Sequence, residues 1–186
     1  MTRQESDLTY KSVAELAQLI ANGELSPRDI VQASLDRISQ LDSSLNAFLD
    51  VWEEESLLSA RTAENEIAAG RYLGPLHGIP VGLKDLIDVK GTPTTGGSKV
   101  LAQNIAGSDA TVTAKLKAAG AVIIGKLNLV EFAFGTTGVN PTTGDVKNPW
   151  DTTRITAGSS SGSAAAVASG MITAALGTDT GGSVRM

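Results

Sequence analysis

The chain has 186 residues, a formal net charge of −5, one histidine and no cysteine. That length holds one hydrophobic core, the mild acidity argues against nucleic acid as a direct partner, and the missing thiols exclude disulfides and thiolate catalysis. No apolar run approaches the ~18 residues of a membrane span, and the polar start lacks the apolar core of a signal peptide, so a cytoplasmic protein off the membrane is expected.

In chain order, residues 8–70 read as a helical layer. Ser12 with Glu15 forms a capping box, and Val13, Leu16, Leu19 and Ile20 make one apolar face that stops at Gly23. Ser26-Pro27 opens a second helix, with Ile30, Val31, Leu35, Ile38 and Leu41 as its stripe. Asn46 to Val51 reads as a short strand. Glu53 to Ala69 reads as a helix, acidic at its start as the macrodipole prefers, with Gly70 behind it.

The pattern changes at Gly74, and residues 74–186 read as an α/β core. Ile79 to Leu83 is a short β run ending at Lys84. A polar, glycine-rich loop spans 91–108. Asp109 is placed to cap a helix over Ala110 to Ala118, closed by Gly120. Ala121 to Ile124 is a fully apolar run, the mark of a buried strand. Strand, helix and strand together predict a parallel unit. Asn128 to Phe132 suits a short helix, Gly135 to Asp151 a loop, Ser161 to Ser169 a slim helix, and Met171 to Leu176 another strand. Without a repeat or a linker, 1–186 reads as a single domain.

The chemistry concentrates between Ile155 and Met186, where two serine- and glycine-rich runs flank the slim helix. A serine is a nucleophile only if a base takes its proton, and glycine lets N–H donors crowd a developing charge. His77 is the one histidine; a structural hydrogen bond is its expected role. Lysine is the other base known to serve a serine. At its ordinary pKa of ~10.4 a lysine is protonated at neutral pH. Burial without a carboxylate partner lowers that value. Lys84 is flanked by Leu83 and Leu86, which suits burial, while Asp85 would oppose the shift if the two paired. Lys84 and the loop over 177–183 each follow a strand, and in open α/β sheets ligands bind beyond the carboxyl ends of the strands. No cluster of His, Asp and Glu has metal spacing, so neither a metal nor another cofactor is expected.

Three segments, GPLHGIPVGLKD, NPWDTTRITAGSSSGSAAAVASG and ALGTDTGGSVR, resemble the amidase signature family, and a weaker match runs from about Leu8 onward. The resemblance implies an amidase signature fold, a mixed β-sheet core flanked by helices. It also implies a Ser–cis-Ser–Lys triad and hydrolysis of a carboxamide C–N bond through an acyl-enzyme. The nucleophile falls on Ser183, the cis-serine on Ser159 and the lysine on Lys84. Backbone N–H groups of Thr180, Gly181, Gly182 and Ser183 would form the oxyanion hole. Ser160 and Asp179 would support the site, Asp179 as a buried carboxylate holding the oxyanion loop, and either Ser160 or Ser161 is placed to cap the following helix. Arg185 is expected to pair with a carboxylate. Ala157 and Ser161 stand where the family's pattern has glycines. A hydroxyl at Ser159 can accept from one partner and donate to the other, so it could relay a proton from Ser183 to Lys84. Gly158 in front of it minimises the clash of a cis bond, which otherwise costs ~2.5–4 kcal/mol.

Family members continue well past this nucleophile, so the chain reads as the N-terminal portion of a longer enzyme, truncated at its C-terminus and inactive by itself. The expected partner is a small-molecule amide, and a homodimer is compatible with the sequence. The A subunits of glutamyl-tRNA amidotransferases share the triad and release ammonia from glutamine for a partner subunit. Their motif has glutamine where this chain has Met186, so a free-standing hydrolase is expected, with partner subunits only under that alternative. From another class, a non-catalytic loop protein binding an anion would also use serine and glycine; it lacks the P-loop lysine here.

Overall fold

The structure is a computed structural model that describes residues 8–186. Helix α1 (Val13–Ala21) starts where the sequence signals it. Ser12 Oγ accepts from the Glu15 N–H, and the Glu15 carboxylate accepts from the Ser12 N–H at 2.8 Å. Helix α2 (Pro27–Leu45) has Ser26 as its cap and proline at its start, where a missing N–H costs nothing. It ends at Asn46, which adopts the left-handed conformation at φ 56°. Strand β1 (Phe48–Val51) and helix α3 (Glu53–Ala68) follow.

Four strands form one sheet: β1, β2 (Pro80–Lys84), β3 (Val122–Leu127) and a short strand, Ala174–Leu176. Its spatial order is β1, β3, β2 and then that last strand. β2 runs parallel to both of its neighbours, and β1 is antiparallel to β3, so the sheet is mixed. Helix α4 (Thr111–Ala118) connects β2 to β3, which gives the strand–helix–strand unit read from the sequence. A separate two-stranded ribbon pairs β4 (Lys147–Asn148) with β5 (Asp151–Ile155). Helix α5 (Ser161–Ala168) then leads to the last sheet strand, β6.

Alternation along the strands divides the core. Val122 and Ile124 of β3 join Val31, Leu35, Ile38, Ala165 and Met171 in one apolar cluster. Val81 and Leu83 of β2, with Ile123 of β3, face Leu16, Ile20, Ile30 and Leu116 in the other. The sheet is therefore buried on both faces, as expected of a sheet with parallel strands. Every residue of β2 is buried, including the lysine at its end.

Four local expectations change. The helix expected over Asn128 to Phe132 is a single 3₁₀ turn at Glu131–Ala133, with Phe132 and Ala133 at positive φ. The Asn128 side chain works elsewhere: its amide donates to the Asn46 and Gly144 carbonyls. The stretch read as loop before Asp151 contains β4. Asp109 does not cap α4, because its carboxylate is taken by the Lys90 N–H and the Lys117 ammonium. The last strand begins at Ala174; Met171 and Ile172 are buried core residues ahead of it.

Candidate functional site

Strand register sets the site. Leu83 of β2 lies beside Leu176 of β6, so the residue ending β2 and the residues just past β6 emerge at one sheet edge. The turn before α5 arrives at the same place. Lys84 is fully buried, and its Nζ lies 2.9 Å from Ser159 Oγ, 3.0 Å from Ser160 Oγ and 2.8 Å from Thr178 Oγ1. Ser183 Oγ is 3.4 Å from the same nitrogen and 2.6 Å from both Ser159 Oγ and Ser160 Oγ. The three side chains singled out in the sequence, Lys84, Ser159 and Ser183, thus meet in one hydrogen-bonded cluster with Ser160.

The electrostatics follow from what is missing around the lysine. Its neighbours are hydroxyls, with no carboxylate among the hydrogen-bond partners of Nζ. Burial penalises the charged form and pulls the Lys84 pKa down from the ordinary 10.5 to about 8. Asp85 is the adjacent residue, but it is occupied by another lysine. Its carboxylate accepts from Lys126 Nζ at 2.7 Å and from the Thr95 N–H and hydroxyl. Lys126 also donates to the Ile87 carbonyl and to Thr94 Oγ1. Asp85 lies in the turn just past β2, and its carboxylate is engaged by Lys126 and Thr95 rather than by Lys84.

The serine turn is built differently from its expectation. No peptide bond among the described residues is cis, the Gly158–Ser159 bond included. The reversal is made instead by Gly158 at φ +75°. A side chain there would also strike the Ser183 carbonyl oxygen, so glycine is required for the two loops to touch. Neither Ser160 nor Ser161 caps α5 with its side chain. Ser160 Oγ is held by Lys84, by Ser183 and by both backbone groups of Thr178, while Ser161 Oγ is buried without a partner.

The loop carrying Thr180, Gly181, Gly182 and Ser183 is pinned by Asp179, but that residue is exposed rather than buried. Its carboxylate accepts from the Gly182 N–H at 2.7 Å and from two nitrogens of Arg185; the Arg185 guanidinium above all holds it well below the usual carboxylate range. The Gly182 N–H is therefore spent on Asp179 in this state, which leaves it out of the expected set of oxyanion donors. Arg185 pairs with a carboxylate as expected.

His77 is structural in its contacts. It is buried, its Nδ1 accepts from the Leu73 N–H, and its Nε2 lies 3.2 Å from a Glu66 carboxylate oxygen. It lines a cavity of about 630 Å³ with Trp52, Glu66, Arg71 and Ile123, which contains none of the clustered hydroxyls. Two contributors escape sequence reasoning, Thr178 and Lys126. Thr178 carries a signal, a hydroxyl two residues past a strand end; Lys126 stands out as a charge inside the run VIIGKL. Among the described residues no group of His, Asp and Glu could hold a metal ion, and no helix is long and apolar enough to cross a membrane.

Comparison with known proteins adds to this geometry. Residues 29–186 match the family described as Amidase. The A subunit of the glutamyl-tRNA(Gln) amidotransferase from Nocardia farcinica is 50% identical over 181 residues, covering 97% of this chain and 37% of that protein. The native peptide amidase from Stenotrophomonas maltophilia superposes with a TM-score of 0.86 at 38% identity, over 93% of this chain and 37% of that one. A fatty acid amide hydrolase superposes with a TM-score of 0.91 at 33% identity, over 98% of this chain and 32% of that one. The chain thus spans about a third of the length of the relatives it matches.

Proposed function

The chain belongs to the amidase family, and on that premise we propose that the protein hydrolyses a carboxamide C–N bond through an acyl-enzyme on Ser183. The observation that carries this reading is the continuous path from Ser183 Oγ to Ser159 Oγ, 2.6 Å, and on to Lys84 Nζ, 2.9 Å, with no carboxylate on the lysine. A neutral amine at Lys84 takes the Ser159 proton while Ser159 takes that of Ser183. The Ser183 oxygen attacks the amide carbonyl, and the resulting oxyanion is met by backbone N–H groups of the turn over 180–183 other than that of Gly182, which Asp179 accepts. The proton stored on Lys84 returns through Ser159 to the leaving nitrogen, and the C–N bond breaks. Water then attacks the ester by the same relay and frees Ser183 and a carboxylic acid.

A second reading is favoured by the 50% identity to the A subunit of an amidotransferase. In it the amide is that of glutamine, and the released ammonia is handed to a partner subunit. Met186 stands where those proteins typically have glutamine, which favours the free-standing hydrolase.

The test is ammonia release by the intact protein from simple carboxamides and, separately, from glutamine, each against Ser183→Ala. Turnover of simple amides that disappears with Ser183→Ala is expected. Turnover of glutamine alone, and only with partner subunits present, selects the second reading. Activity surviving Ser183→Ala, or no labelling of Ser183 by a fluorophosphonate, sinks both.

A further inference from the structure

Counting protons around Lys84 exposes a requirement that the relay does not meet by itself. A neutral amine has two N–H donors and one lone pair, arranged about the nitrogen in the three directions left by its carbon. Three hydroxyls fill those directions at bonding distance: Ser159, Ser160 and Thr178. The amine acts as a base toward Ser159 only if the lone pair faces Ser159. Both N–H groups must then be accepted by the other two.

Ser160 is committed by its own contacts. Its hydroxyl accepts from the Thr178 N–H at 3.2 Å, and its one proton has the Thr178 carbonyl at 3.1 Å and Ser183 Oγ at 2.6 Å as acceptors. With its proton given to either of these, the Ser160 oxygen meets Lys84 as an acceptor. The remaining N–H has Thr178 Oγ1 at 2.8 Å, the shortest of the lysine's contacts. Thr178 is thus attached to this corner three times, twice through its backbone to Ser160 and once through its side chain to Lys84.

We infer that Thr178 is a positioning residue for the base: by accepting one Lys84 N–H while its backbone orients Ser160 to accept the other, it aims the lysine lone pair at Ser159. The inference rests on the amide-hydrolase reading above and adds a residue that acts on Lys84 without touching the substrate. Without the threonine hydroxyl, the amine can turn about its Cε–Nζ bond and present its lone pair elsewhere. The ammonium form also loses an acceptor, so the protonated lysine is less well held, which shifts the Lys84 equilibrium further toward the amine.

The experiment is the pH–rate profile of the intact protein as wild type, Thr178→Val, Thr178→Ser and Ser183→Ala, with thermal unfolding of each. Valine keeps the shape of threonine and removes the hydroxyl. The expected result is a Thr178→Val enzyme whose alkaline plateau in kcat falls roughly tenfold through lost alignment and whose rising limb moves to lower pH. Thr178→Ser restores both the plateau and the limb. A merely structural role would lower the melting temperature and the plateau but leave the limb in place. A limb unmoved in Thr178→Val, or a Thr178→Ser enzyme that behaves like the valine variant, overturns the inference. Should Thr178→Val not fold, Thr178→Ser with a wild-type profile and Thr178→Ala with a displaced limb support it, and an undisplaced limb in Thr178→Ala overturns it. The two readings fail separately: activity surviving in Ser183→Ala removes the hydrolase mechanism, whereas an inactive Ser183→Ala beside a wild-type profile in Thr178→Val removes only the threonine's role.

Discussion

Two buried lysines lie at the carboxyl ends of neighbouring parallel strands, and they are solvated in opposite ways. Lys84 ends β2 and Lys126 lies on β3, paired in register with Leu83. Lys126 meets a carboxylate, a carbonyl and a hydroxyl. Lys84 meets only hydroxyls. A carboxylate favours the charged form of a lysine, and burial without one favours the neutral form. The same residue type, on adjacent strands of one sheet, is thereby tethered to a carboxylate in one place and, in the other, left among hydroxyls in the setting that the proposed base requires. Asp85 is the residue that decides this, since it follows Lys84 in sequence but gives its charge to Lys126.

The contrast can be broken most severely at Lys84. Lys84→Ala in the intact protein removes the proton acceptor, and amide turnover is expected to fall by about 10²–10⁴-fold or more. Steady-state rates near neutral pH check this, and retention of most of the activity would refute its role as base.

Next in size is the tether. Lys126→Met leaves the Asp85 carboxylate buried without its cation, which typically costs about 3–5 kcal/mol. Urea unfolding should show that loss, and Asp85→Asn combined with Lys126→Met should recover part of it. A single variant as stable as wild type would mean that water reaches Asp85 and that the pair is not needed.

A smaller effect sharpens the comparison through pH. The folded-state value at Lys84 is lowered to about 8 from the ordinary 10.5. Between these two values the unfolded chain holds a proton that the folded chain has lost. Stability therefore rises with pH across that window, and the full penalty of burying the lysine is present below about 8. Unfolding free energies of wild type minus Lys84→Met should increase from pH 8 toward 10.5, and a flat difference would contradict the lowered value. The activity of wild type should rise with pH through the same lower bound.

The smallest expected effect is at the loop. Asp179→Asn weakens its pairing with Arg185 and its acceptance from the Gly182 N–H. Because Asp179 lies at the surface, only a small change in stability is expected. A larger loss in kcat than in stability would show that the loop's geometry serves turnover.

Much of this arrangement was legible because local signals and global structure agree. Ser12, Glu15 and Ser26 mark helix starts by hydrogen bonds that any isolated helix would want, and Pro27 by a backbone already set for the first turn. The apolar runs ending at Lys84 and Leu176 mark strands whose carboxyl ends must share an edge once they are parallel. The errors arose where a side chain had a better distant partner than its local one. Asp109 and Ser160 both look like caps, and each is drawn off by a lysine. The trans bond before Ser159 was invisible because Gly158 offers two routes to the same reversal. Lys126 was overlooked because pairing with Asp85 depends on strand register, which spacing along one strand does not contain.

The wide sequence separation within the serine cluster bears on how the protein comes to be folded. Lys84 finds its hydroxyl partners 75, 76, 94 and 99 residues further along the chain, whereas its neighbour Asp85 finds Lys126 after 41. Closing a longer loop costs more chain entropy, and the cost must be met before the contact returns anything. During synthesis the tether can therefore form while the chain carrying Ser159 to Ser183 is still being made. Until those residues arrive, Lys84 lacks the hydroxyls that enclose it in the folded protein. On the reading proposed above, Lys84 takes up its role only once the loop carrying Thr178 and Ser183 has docked against it.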